Sequence, residues 1–149
     1  MTKKMLLEKI KQNLNESRAY NNSLYELKDH LHNVAYQEPH DDKLERGLTG
    51  RQEVEDSASE AARHMIRLHL ANNPGAHEKI YKKHSSDELN EIVANHLKGL
   101  GQGKLMDVYY AADEHQAAEQ QNEPKKDRIA RRFRELIAHH LNAALRSKK

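Results

Sequence analysis

Apolar side chains recur along this chain at the three-and-four spacing that lines one side of an α-helix. Nowhere do they alternate at period two for long enough to predict a strand. The clearest case runs from Asp127 to Arg146, where Ile129, Phe133, Leu136, Ile137, His140, Leu141, Ala144 and Leu145 form one stripe. Arg128, Arg131, Arg132 and Arg134 take the remaining surface, and Pro124 stands upstream, where a new helix would begin. This segment is expected to offer the largest apolar face, with the other helices organised around it.

The same pattern, in weaker form, predicts the rest. Leu6, Leu7, Ile10 and Leu14 mark a helix from Lys3 to Arg18. Asn21-Asn22-Ser23 then interrupts it, and Ser23 with Glu26 has the spacing of a capping box. A second helix follows with Leu24, Leu27, Leu31 and Val34 on one face, although Asn and Ser are only disfavoured in helices and also allow one continuous element. Gln37 to Gly50, with Pro39, Asp41, Asp42 and Gly47, has turn chemistry and reads as a mobile connection. A third helix is predicted from Arg51 to Ala71, with Val54, Ala58, Ala61, Met65 and Leu68 inward; Asn72-Asn73-Pro74-Gly75 ends it.

A helical turn from His77 to Lys83 carries Ile80 and Tyr81, and Ser85 with Glu88 forms a second capping box. The helix it opens points Leu89, Ile92, Val93, His96 and Leu97 inward and is broken by Gly99, Gly101 and Gly103. One more helix covers Lys104 to Gln120 with Leu105, Val108, Tyr109 and Ala112 facing in; its polar second half, from His115, is expected to fray or project. The expected fold class is all-α: a compact array of five to seven amphipathic helices, partly bundle-like, forming a single domain over residues 1–149.

Composition narrows the chemistry. An apolar fraction of 36% beside a charged fraction of 32% fits helices with a narrow apolar stripe and a wide solvated face. Without cysteine there is no disulfide, thiolate metal site or cysteine nucleophile. Glu8 and Lys9 interrupt the first apolar run before a signal-peptide core could form, and no run approaches the roughly 18 residues of a membrane span. The expected location is the cytoplasm, or outside the cell by a route without a classical signal peptide, with no membrane partner.

Charge is unevenly spread. The chain is +2 overall, yet Lys125 to Lys149 carries nine basic and two acidic residues. Such a split suits either an internal match with a more acidic body or a surface for anionic partners. Arg128, Arg131 and Arg132 are the candidate contacts for a nucleic acid. However, the arginines flank the apolar stripe on both sides, and no helix-turn-helix, zinc-finger or RNA-recognition pattern accompanies them.

Eleven histidines raise a metal question. Glu26/His30, Glu60/His64 and Glu135/His139 each place a carboxylate and an imidazole four residues apart on one helical face. The di-iron bundle pattern needs Glu-x-x-His and the zinc-protease pattern His-Glu-x-x-His, and neither occurs. A helical-bundle metalloenzyme is therefore a minor alternative, and no cofactor or metal ligand is assigned. His96 and His140 fall on apolar stripes as core histidines, while adjacent His139 and His140 point to different faces. Asp29 beside His30 and His32 resembles an acid/base site by residue type alone.

Tyr109 and Tyr110 are adjacent, so one of them must sit at a rim or in solvent, where tyrosine commonly contacts partner proteins. The leading expectation is a non-enzymatic protein-interaction module, an adaptor, inhibitor or regulator that binds a macromolecule through helix faces. A small bacterial effector or a phage-type accessory protein would meet this description. Its expected partner-binding residues are Tyr109, Tyr110, Arg128, Arg131 and Arg132.

Overall fold

The computed structural model describes residues 3–36, 50–73 and 75–147. Among them are six helical segments and no strand: α1 (Lys3–Tyr36), α2 (Gly50–Asn72), the short α3 (Ala76–Tyr81), α4 (Ser86–Lys98), α5 (Gln102–Gln120) and α6 (Lys126–Ser147). The array is all-helical, as the spacing of apolar positions predicts. The connection expected over Gln37–Gly50, apart from Gly50 itself, lies outside the described residues. So do the breaker Pro74 and the side chains of Leu6, Leu7, Ile10, Leu14, Val54 and Tyr81.

Of the two readings the sequence leaves open for the first helices, separate or continuous, the structure takes the continuous one. Asn21-Asn22-Ser23 does not break it; α1 runs unbroken through this triplet. Each mid-helix Asn or Ser costs a few tenths of a kcal/mol in helix propensity, and tertiary partners offset that cost. Gln116 Nε2 donates to Asn21 Oδ1 at 2.8 Å, and Ser23, buried, sets its Oγ 3.4 Å from His64 Nδ1. Glu26 is accordingly not a capping residue and meets His30 Nε2 at 3.3 Å.

The core begins with Leu24, Leu27, Leu31 and Val34 of α1, which pack with Ala58, Ala61, Ala62, Met65 and Leu68 of α2 in one buried cluster. Among the described residues the pairing of α1 with α2 is the most extensive, and α1 with α5 comes next. The expectation that the last helix organises the array is thereby corrected. α6 does turn its stripe inward, burying Phe133, Ile137, Leu141 and Ala144, but it covers α5, α4 and α2 from one side. The physical reason is placement: the four fully or nearly fully buried branched aliphatics of α1 pack it against two helices at once.

Ser85 caps α4 as its spacing predicts, its Oγ accepting from Glu88 N at 3.2 Å. Gly99 closes the helix, and Gly101 precedes α5. The far half of α5, expected to fray, is instead held in place, with His115, Gln116 and Ala118 buried. Its imidazole stacks on Phe133 of α6 at 5.2 Å and lies 2.9 Å from the Tyr20 hydroxyl. The turn beyond it uses Asn122 at φ 50°, with Glu123 N donating to Ala118 O and Asn122 N to Glu119 O. These two bonds are the Schellman pair that closes a helix through a left-handed residue. The turn folds α6 back antiparallel onto α5.

Candidate functional site

α1 and α5 run antiparallel, joined by Gln116–Asn21 near one end and by Lys28 Nζ donating to Asp113 Oδ1 at 3.0 Å further along. Their outer surface carries the aromatic side chains that the core leaves out. Tyr25, Asp29, His32 and Tyr36 succeed one another at steps of four, three and four, so they occupy one face of α1, and all four are exposed. From Tyr25 to Tyr36 this face is about 16 Å long at the helical rise. The His32 ring meets Tyr36 at 4.5 Å and Tyr109 of α5 at 6.2 Å, and Tyr109 meets Tyr110 edge-on at 5.4 Å. Tyr25, Tyr36 and Tyr110 are 59%, 45% and 56% exposed, far more than aromatic rings held in a core.

Of the two tyrosines singled out by adjacency, Tyr110 is exposed and Tyr109 half-buried, and both belong to this cluster. Tyr25, His32 and Tyr36 do not stand out in the sequence. Aromatic residues at helical spacing read equally well as core, and only the packing of Leu24, Leu27 and Leu31 on the opposite side assigns them to the surface. Arg128, Arg131 and Arg132 are exposed on α6, and Arg131 Nε pairs with Glu135 Oε1 at 3.1 Å. No hydrogen bond, ion pair or ring contact joins these arginines to the tyrosine cluster among the described residues, so the five expected contact residues form two separate groups.

The three Glu/His pairs separate in the same way. His30 and His64 come together from α1 and α2 with rings nearly parallel, 6.3 Å apart, and Glu60 Oε2 lies 4.0 Å from His64 Nε2. Burial, with Arg63 and Arg67 beside it, holds the His64 pKa below its ordinary value. His139 stands elsewhere, next to His140 and its neighbour His96. Among the described residues no three His, Asp or Glu side chains are grouped so as to hold a metal ion. Nor is any helix there long and apolar enough to cross a membrane.

His96 is half-buried and His140 buried; their facing nitrogens, Nε2 and Nδ1, lie 3.1 Å apart. Burial pushes the His140 pKa down to about 4, with His96, His139 and Lys104 adding to the shift and Asp107 opposing it. A ring so reluctant to take a proton is a poor base near neutral pH, and the pair is a structural contact between α4 and α6. Compared with known proteins, the chain matches no family model, no curated protein and no solved structure, so the functional reading rests on geometry alone.

Proposed function

We propose that this chain is a non-enzymatic interaction protein, an adaptor, inhibitor or regulator, whose contact surface is the aromatic face of α1 and α5. The observation that carries the reading is the exposure of Tyr25, Tyr36 and Tyr110, two of them in a ring cluster with His32 and Tyr109. Tyrosines that give up burial in their own core cost little to desolvate again and supply rigid contact area, which is why they concentrate at interface centres. Asp29 and Glu114 are exposed on the same two helices, while Asp113 and the neighbouring Lys28 neutralise each other. An acidic, aromatic face of this length suits a partner segment bearing apolar and basic side chains, such as an amphipathic helix.

The test is a capture experiment run in parallel with wild-type protein and a Tyr36→Ser, Tyr110→Ser double variant. A stoichiometric protein partner retained by the first and lost by the second is the expected result. Equal retention by both, or recovery of the bare chain from each at all salt concentrations, overturns the reading. Binding of oligonucleotides at low salt that is abolished by charge reversal at Arg131 and Arg132 would move the function to α6 instead.

A further inference from the structure

Between α1, α2, α5 and α6, away from the tyrosine face, lies an open-sided cavity of about 890 Å³. Ala19, Leu70 and Ala71 give it an accessible apolar lining. At its wall the Tyr20 hydroxyl accepts from Asn72 Nδ2 at 3.1 Å and lies 2.9 Å from His115 Nε2, while His115 Nδ1 is buried without a hydrogen-bond partner. Burial lowers the His115 pKa and raises that of Tyr20, so the ring is neutral and the phenol protonated near neutral pH.

The neutral ring carries one N–H. Placed on Nδ1, it is a buried donor with no acceptor, the costlier kind of orphan. Placed on Nε2, it donates to the Tyr20 oxygen, which then accepts twice and leaves its own O–H to donate elsewhere. Tyr20 lines the cavity, and in that tautomer its O–H finds no acceptor among the described residues.

Four charged side chains complete the lining: Arg67 from α2, Glu119 from α5, and Asp127 and Arg134 from α6. None makes an ion pair with a described residue. Arg134 and Glu119 both act electrostatically on Tyr20 and His115, so opposite charges stand near one spare donor. Two guanidiniums, two carboxylates and an apolar lining match a molecule with one carboxylate, one ammonium group and an aliphatic body. We propose that this cavity binds a small zwitterion with an apolar side chain, an amino acid or dipeptide, whose carboxylate is held by Tyr20 and Arg134 and whose ammonium group is held by Glu119 and Asp127.

Calorimetric titration of the full chain with four probes tests this: L-leucine, leucyl-leucine, 4-methylpentanoate (leucine without its ammonium group) and isopentylamine (leucine without its carboxylate). One of the two zwitterions is expected to bind with a Kd of about 1 mM or tighter, and the tighter of them identifies the source. Each singly charged analogue is expected to bind at least about tenfold more weakly. Failure of both zwitterions to bind, or an analogue binding as well as its parent, overturns the proposal. Arg134→Gln and Glu119→Gln, both at exposed positions, are each expected to weaken binding about tenfold with Tm unchanged, while Arg146→Gln binds as wild type. Wild-type affinity in both cavity variants would equally overturn it.

Discussion

The imidazoles of His96 and His140 meet through Nε2 and Nδ1 at 3.1 Å, where α4 and α6 touch, so one proton at most lies between them. Protonating both rings would put two positive charges face to face beside Lys104 and His139. The contact is therefore made by neutral rings and is vulnerable to acid.

Stability should consequently fall as the solution is acidified. His140 has an ordinary pKa of 6.5 and a folded one of about 4, so between these values the unfolded chain binds more protons than the folded one. Its contribution is complete above about 6.5, is lost as pH drops towards 4, and amounts to about 3 kcal/mol across that window. The lowered values of His64, His69, His96 and His115 act with the same sign. Urea unfolding at successive pH values measures the slope, which His140→Gln should flatten in part. A pH-independent midpoint between 6.5 and 4 would contradict the burial of these rings.

Continuity of α1 can be checked at one exposed position. Asn22 lies mid-helix with its side chain in solvent, so Asn22→Ala should stabilise the protein by about 0.5 kcal/mol through helix propensity alone. Asn22→Pro should cost about 3 kcal/mol or more. If both substitutions leave the midpoint unchanged, the helix is broken there after all.

Phe133 is the largest fully buried side chain among the described residues and covers the His115 ring. Phe133→Ala should cost about 3–5 kcal/mol in chemical denaturation, from lost burial and the cavity left behind. The same change admits water to His115, so its pKa, followed by NMR titration, should rise towards 6.5. Serine at Tyr25 or Tyr110, by contrast, should shift stability by less than about 0.5 kcal/mol, since these rings contribute little to the core.

The α5–α6 turn offers a backbone test. At φ 50° Asn122 occupies a region that glycine enters freely and alanine does not. Asn122→Gly should leave stability within about 0.5 kcal/mol of wild type, whereas Asn122→Ala should cost about 1 kcal/mol. Thermal melts of the two variants decide whether this residue sets the return of α6.

Much of this architecture is local and therefore legible from residue order. The 3.6-residue period places Leu24, Leu27, Leu31 and Val34 on one face, as it does Ile137, Leu141 and Ala144, whatever they later touch. Ser85 caps α4 because its hydroxyl reaches Glu88 N within a single turn. The candidate surface was half legible: Tyr109 and Tyr110 drew attention because adjacent residues on a helix cannot face the same way. Tyr25 and Tyr36 gave no such signal.

What the order of residues determined by itself was the helical class, most helix boundaries and the inward stripes, since each follows from interactions within a few positions. Tertiary structure alone decided that α1 stays whole through Asn21-Asn22-Ser23 and that the polar end of α5 is buried. Both depend on Gln116, His64 and Phe133, partners dozens of residues away whose hydrogen bonds and packing outweigh local propensity. It also decided which histidines meet: side-chain type and spacing put His30, His64 and His139 on equal terms, and only helix packing brought the first two together and left the third with His140.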